Sequence, residues 1–407
     1  MPMNADSSPS AGPLSGIRVI ECGVLLAAPF CARLLADFGA QVIKVEPPGQ
    51  GDPMRATGQA LLDGKSLWWP NIARNKQCIT LNLRLPEGQD ILRRLAAQAD
   101  VVLENFRPGT FEAWGLGYEV LRERNPGLIF ARVSGYGQTG PNRHKPGFAA
   151  VAEAFGGLRY SVGFPDRPPG RVGVSIGDSL AGMFSALGIM LALYHRDVNG
   201  GRGQVIDTAL YEAVFAVMEG ALTEYDKTGY VRTRTGTSLP GFAPSNLYPC
   251  RDGKWIIIAA QSDKLFERLC RVMGREDLLD DPRFARAAAR GQNRDAIDAI
   301  VAGWTAEHEL SALLPRLEAA IIPTGPVNSM ADIAADPHFE ARDMLLSLHD
   351  RVLGAIRMQG IVPKLSDTPG AARSVGPALG EHNHEVYQDL LGLQAEELAG
   401  LRERGVI

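Results

Sequence analysis

The chain is 407 residues long, 45% hydrophobic and 22% charged, an ordinary globular composition with room for two or three domains and a large core. A formal charge of −4 is small for that length, which argues against a nucleic-acid or membrane-surface protein and leaves any anion to a local cluster of cations. Its 45 glycines and 27 prolines follow no period, so collagen-like and low-complexity readings fail, and the five cysteines (Cys22, Cys31, Cys78, Cys250, Cys270) contain no C-x-x-C and fit a reduced cytoplasm.

Residues 1–16, MPMNADSSPSAGPLSG, lack the basic start and apolar core of a signal peptide and read as a short disordered tail. In 17–49, IRVIECGVLLAAPFCARLLADFGAQVIKVEPPG gives a β-rich run, a turn, a helical pattern closed by Gly39 and a second β-rich run ended by two prolines: a βαβ unit. CITLNL before PEGQDILRRLAAQA, then DVVLENF and GLIFARVSGYG, continue the alternation to about residue 137, which predicts an α/β fold with a parallel sheet covered by helices. The apolar run 180–194 falls short of the roughly 18 residues a membrane span needs and predicts a buried helix of a soluble protein, with Asp178 at its head.

GGRGQVIDTALYEAVFAVMEGALTEY predicts another helix after a Gly-rich turn, with Asp207 as its cap. The aperiodic stretch 226–245 marks a linker, and LYPCRDGKWIIIAAQ a hairpin around Asp252 and Gly253. Charged helical patterns over 263–322, with the strand, turn and helix of AAIIPTGPVNSMADIAADP, predict a smaller α+β domain. The last helices cannot bury their faces alone and return to the first domain. The expected organisation is a tail (1–16), the N-terminal part of a large domain (17–225), a linker and small domain (226–345), and a C-terminal return to the large domain (346–407).

By residue chemistry alone Asp178, between Gly177 and Ser179, has two readings. Asp is a favoured N-cap, and a cap accounts for an acid at that place. The same helix terminus favours a carboxylate, the glycine lets a ligand approach, and an aspartate (reference pKa about 3.9) is ionised at pH 7 without a base, ready to attack an activated acyl group. Asp207 is the runner-up, and spacing does not separate the two. The first βα turn, Gly23-Val24-Leu25-Leu26-Ala27-Ala28-Pro29, is not G-x-G-x-x-G, which argues against a classical NAD site and gives Glu46 a structural role.

ENFRPG places Asn105, Phe106 and Arg107 at the carboxyl end of a strand, where open α/β sheets bind ligands, although a solvated turn also accounts for it. Asn142-Arg143-His144-Lys145 is a basic loop suited to phosphate or carboxylate, or simply surface. His382 and His384 form an H-x-H without further ligands nearby, so no metal site is expected.

Together these stretches resemble the family III CoA-transferases, the CaiB/BaiF group. The resemblance is carried by LLADFGAQVIKVEPPGQGDPMR, ADVVLENFRPG, NPGLIFARVSGYGQTGP, GDSLAGMFSALGIMLAL, GRGQVIDTALYEA, IPTGPVNSMADIAADP and LGEHNHEV, in family order over nearly the whole chain. It implies an acyl-CoA:carboxylate CoA-transferase in which Asp178, rather than Asp207, is the nucleophile and an aspartyl-CoA thioester the intermediate. It implies coenzyme A as co-substrate, with Asn105 and Phe106 lining its site, Lys145 near phosphate, and Leu25 and Leu26 beside the nucleotide. Arg55, Arg74 and Arg107 are added from charge and position. It also implies a large Rossmann-like domain built from both chain ends, a small central domain and an interlocked homodimer, which the cysteine pattern places in the cytoplasm.

Arg143, His144, Arg232 and Arg234 suit the distal carboxylate of a short dicarboxylate such as succinate, malate, itaconate or mesaconate. The α-methylacyl-CoA racemases of the family carry a His-Asp pair where this chain has Phe148 and Ala149. Phenylalanine cannot transfer a proton, which favours transferase over racemase, while Ala149 leaves unfilled a helper role that many transferases give to an acid. The alternative from another class is a CoA-binding protein without turnover, with Asp178 only a cap.

Overall fold

The computed structural model describes residues 12–407. Strands β1 (Arg18–Glu21), β2 (Gln41–Glu46), β3 (Lys76–Thr80), β4 (Val101–Glu104), β5 (Ile129–Ser134) and β6 (Val205–Ala209) pair in parallel in the order β3-β2-β1-β4-β5-β6. Near-continuous apolar runs suit a sheet covered on both faces, and successive residues point to opposite sides. Ile20, Ile43, Val102 and Phe130 accordingly join one core, while Val19, Val42, Val101 and Ile129 join the other.

Helices α1 (Ala27–Asp37), α2 (Pro86–Ala96), α3 (Ala149–Phe155) and α4 (Ile176–Val198) follow in order. In α1, Ala28, Cys31, Ala32 and Leu35 recur at helical spacing and are buried, and Gly39 at φ 102° ends the turn beyond it. Pro86 begins α2, with Glu87 in its first turn and Arg93 and Arg94 in its last, so both dipole ends are matched. Core residues of α1 and α4 cover one face of the sheet, and α2 with the end of the chain (Tyr387, Leu398, Leu401, Ile407) covers the other. Backbone ties fix that end: Asn383 Oδ1 accepts from Thr80 N (2.9 Å), the Tyr387 hydroxyl donates to Thr80 O (2.6 Å), and Asn82 N donates to Val406 O (2.8 Å).

The described chain divides into two compact units, one of residues up to Leu158 with Val172–Leu222 and His338–Ile407, the other of Arg159–Arg171 and Thr223–Pro337. Residues 159–171, expected in the large domain, fall in the second unit because Gly163 bridges to Gly236 and Arg234 donates to the carbonyls of Phe164 and Tyr160. The second unit carries an antiparallel sheet of β7 (Ser245–Pro249), β8 (Trp255–Ala259) and β9 (Thr324–Pro326), in the order β9-β8-β7. Helices α5 (Asp263–Met273), α6 (Arg294–Ala306) and α7 (Leu310–Ala319) back it, with Leu269, Val301 and Leu313 packed on Ile256 and Ile258. The β7–β8 turn has Gly253 at φ 76°, a conformation that suits glycine at the expected hairpin. Residues from 338 fall in the first unit and lead into a hairpin of β10 (Leu345–Asp350) and β11 (Gly354–Gln359), closed where Gly360 N donates to Met344 O (2.9 Å).

Two expectations need correction. Of the tail, residues 1–11 lie outside the described residues, but the stretch from 12 is anchored, since Gly12 and Leu14 are buried and the Leu14 N–H donates to Phe38 O (3.0 Å). The helix after residue 175 has 23 residues, more than the apolar run that marked it, and is long and apolar enough to cross a membrane by length and composition. It is buried on one face only: Ala181, Ser185, Ile189 and Ala192 face inward, whereas Met183, Leu187, Leu191, Tyr194 and Val198 are exposed.

Candidate active site

The strand order reverses its winding between β1 and β4, and the crevice outside their carboxyl ends is where sheets of this kind hold ligands. The loop after β1 is fastened there residue by residue. Lys44 Nζ donates to Gly23 O (2.8 Å); Asn105 accepts from Val24 N (2.9 Å) and donates to Val24 O (2.8 Å); Asp52 accepts from Leu25 N (3.1 Å). Leu25 sits at φ 64°, a left-handed conformation that costs a side-chain-bearing residue about 1–3 kcal/mol and persists only when its surroundings impose it.

Those fastenings rest on buried charges. Lys44 Nζ lies 2.9 Å from Glu21 Oε1 and 2.8 Å from Asp52 Oδ2, and Lys76 Nζ lies 2.7 Å from Glu21 Oε2. Arg55 pairs with Glu46 through two bonds of 2.7 Å, and Asp52 N donates to the same carboxylate (2.8 Å). Glu21, Asp52 and Glu46 thus balance Lys44, Lys76 and Arg55, so no desolvated charge is left alone. Burial opposes ionisation of Asp52, but Lys44 and the amides of Met54 and Leu25 outweigh it and hold the carboxyl below the ordinary aspartate value.

Two expected CoA cations are therefore committed. Arg55 is the outer member of this network, lying 3.8 Å from the centre of the Trp69 ring and donating to Pro377 O (3.0 Å). Arg74 is fully buried, bonded to both oxygens of Asp37 (2.9 and 2.6 Å) and to Gln359 O (2.7 Å), and has no surface to offer a phosphate. Arg107 and Lys145, by contrast, are exposed.

Phe106 packs against Phe111 and Trp114, with ring centres 5.8 and 5.3 Å apart, and its N–H donates to Glu104 Oε2 (2.6 Å). Glu104 also accepts from Arg132 (2.7 Å), which reaches on to Glu112 (2.7 Å). Burial pushes the Glu104 carboxyl up to about 7 against the pull of Arg132 and the Phe106 amide. The loop carrying Asn105 and Phe106 is thus anchored through a titratable group.

Asp178 is partly exposed in the first turn of α4 and is not its cap. That place belongs to Ser175, whose side chain makes no capping bond, while the positive end of the helix dipole favours a carboxylate at 178. Four residues on, Gly182 lets α4 run against the start of α1, for a Cβ there would lie 2.8 Å from Ala27 O and 2.9 Å from the Phe30 ring. One helical turn, about 6 Å, separates Asp178 from this crossing, and Ala27 directly follows the fastened loop.

Asp207 lies within β6 rather than at a helix head, and its carboxylate accepts from Gln138 N (2.9 Å). Arg143 donates to His144 Nε2 (2.9 Å) on an exposed loop, and Phe148, exposed at the head of α3, and buried Ala149 supply no base. In the second unit Arg234 is half-buried and donates to Phe164 O (3.2 Å) and Tyr160 O (3.4 Å). His382 accepts from Cys78 N through Nδ1 (3.2 Å), and among the described residues no three His, Cys, Asp or Glu side chains group as a metal site. The five cysteines are buried and unpaired, and burial pushes the thiols of Cys22, Cys31 and Cys78 up, away from thiolate chemistry.

Sequence reasoning passed over Lys44, Asp52 and Glu104. A lysine inside the apolar run QVIKVE was the available signal, because a cation in a buried strand requires partners.

Residues 14–383 match the family model described as CoA-transferase family III. The chain is 52% identical over 395 residues, 97% of its own length and 98% of the relative, to the succinyl-CoA–D-citramalate CoA-transferase of Chloroflexus aurantiacus. It is 43% identical over 405 residues, 99% of its length and 100% of the relative, to the beta subunit of that organism's succinyl-CoA–L-malate CoA-transferase. A crystal structure of a CaiB/BaiF family protein from Brucella suis superimposes with a TM-score of 0.84 at 35% identity, over 94% of this chain and 100% of that one. Motifs, parallel sheet and full-length likeness agree, and the chain belongs to CoA-transferase family III.

Proposed function

We propose that this protein moves CoA from an acyl-CoA such as succinyl-CoA to a second short dicarboxylic acid, with Asp178 as nucleophile. The observation that carries the reading is the place of Asp178: off the cap position, partly exposed, at the positive end of a helix and one turn from the crossing with α1. Relatives named for succinyl-CoA with citramalate or malate supply the substrate class.

The Asp178 carboxylate attacks the donor thioester carbonyl, CoA leaves as thiolate, and a mixed anhydride remains. The thiolate attacks the aspartyl carbonyl, releasing the donor acid and forming an aspartyl-CoA thioester. The acceptor carboxylate attacks that carbonyl and expels CoA thiolate, which then attacks the acceptor carbonyl of the new anhydride and frees Asp178. One thioester replaces another, so no outside energy source is needed, and the site must exclude water from each anhydride.

Leu25, Leu26, Asn105 and Phe106 offer CoA a fixed wall, and Arg107 and Lys145 are exposed cations for its phosphates. Arg143 and His144 in the first unit and, as a separate candidate, Arg234 in the second are the cations suited to a distal carboxylate. The lack of a base at Phe148 and Ala149 weighs against racemisation. The reading includes a cytoplasmic, interlocked homodimer with a Rossmann-like large domain from both chain ends; the exposed apolar positions of α4 are what a second copy would cover.

The test is mass spectrometry of the intact protein after incubation with succinyl-CoA and treatment with hydroxylamine or borohydride, beside Asp178→Ala. A trapped adduct on Asp178, with CoA transfer abolished in the variant, is the expected result. Absence of an adduct with any acyl-CoA, together with transfer by the variant at the parent rate, overturns the reading.

A further inference from the structure

Beyond Arg55 the first unit holds a cavity of about 610 Å³ to which the proposed reaction assigns no residue, within the size range of small-molecule sites. Arg55 and Trp69 form one wall, and the β10–β11 turn and residues 373–382 form others. Its acids are engaged. Asp350 Oδ1 accepts from Val352 N and Leu353 N (2.8 Å each), and Glu381 accepts from Ala378 N (2.7 Å) and faces Arg351 at 3.5 Å. Arg55 is neutralised by Glu46.

Lys65 and Arg373 remain, both exposed at the lining, with no carboxylate in ion-pair range among the described residues. His382, whose Nδ1 accepts the Cys78 amide, keeps Nε2 as a further donor at the same lining. A pocket whose acids are matched and whose two further cations are not is built for a ligand carrying more than one negative charge.

We propose that this cavity binds a phosphate-bearing polyanion through Lys65 and Arg373. The ligand has two sources: the nucleotide end of CoA, or a separate phosphorylated metabolite. The first draws on continuity of structure. Asp52, which holds Leu25, caps the short helical turn Pro53–Ala56 that carries Arg55, and Met54 and Trp69 pack against Leu25 and Leu26. Only that first source rests on the transferase reading, and the site itself is tested without turnover.

The experiment is calorimetric titration of pyrophosphate into the full chain, the double variant Lys65→Ala/Arg373→Ala, and Asp178→Ala. Saturable binding to the parent and to Asp178→Ala, weakened by about tenfold or more in the double variant, is expected for loss of two charge-assisted contacts. CoA and dephospho-CoA then compete against bound pyrophosphate. Displacement by CoA ahead of dephospho-CoA gives the cavity to the 3′-phosphate end of CoA, and displacement by neither gives it to a separate phosphorylated ligand; both keep the site. No saturable binding to the parent, or equal affinity in parent and double variant with unchanged circular dichroism, overturns it. Should the double variant fail to fold, Arg373→Glu alone, a surface change, must still weaken pyrophosphate binding.

Discussion

The loop after β1 and the basic loop around residue 144 are built in opposite ways. Each of residues 23–25 is held by a side chain from another element, whereas the basic loop is exposed and closes on itself through Lys145 N to Asn142 O (2.8 Å) and Arg143 to His144 (2.9 Å). Composition predicts the reverse, for the fastened loop reads Gly-Val-Leu-Leu and the exposed one contains Pro141 and Pro146. Rigidity in this molecule comes from buried charges beneath a loop, not from the stiffness of the loop's own residues.

The sharpest way to break that contrast is Lys44→Met, which leaves Glu21 and Asp52 without their shared cation. A loss of about 3–5 kcal/mol is expected, since removing one partner strands the other charges in low dielectric. Urea unfolding of the two proteins measures it, and a loss under about 1 kcal/mol would mean the network is not what holds the loop.

A smaller effect is expected at Glu104. Its carboxyl, pushed by burial to about 7, accepts from Phe106 N and Arg132 when ionised and loses that charge as pH falls through 7. CoA affinity of the parent should drop by up to about tenfold between pH 8 and pH 6, with Glu104→Gln flat over the same range. An equal slope in both proteins would place the titration elsewhere. Stability runs the other way: between the unfolded value of about 4.5 and the folded value the native chain binds the extra proton, so this group's contribution falls as pH rises through that window.

The smallest effect belongs to the exposed loop. Lys145→Ala should raise the KM for acyl-CoA about twofold to fivefold, with the difference shrinking in high salt and stability unchanged, as for a screened surface cation. A salt-independent loss would show that the loop closes into a buried state on binding.

The parallel strands were legible because buried strands are written as short apolar runs, as in VIKVE and DVVLEN, and Asn105 could be placed at a strand end from such a run alone. The motif singles out Asp178 but not its exact place: the helix begins at Ile176, ahead of the acid, so the cap reading of Asp178 fails. Asp207 went astray because VIDTA resembles a helix head until β5 supplies a partner for β6. The partners of Arg55 and Arg74 were hidden for a related reason. The acids that engage them, Glu46 and Asp37, are 9 and 37 residues away, and a charge pair formed by folding leaves no local pattern to read.

The helix that carries Asp178 meets α1 where a side chain is missing. At Gly182 even one carbon atom would press on the Ala27 carbonyl, a backbone atom that cannot swing aside. The reach of the acid is thus gauged by a gap, and any side chain filling it works as a wedge that tilts the whole amino-terminal turn. On the proposed reading, a change at 182 is expected to lower CoA transfer, although the residue that changed never meets a reactant.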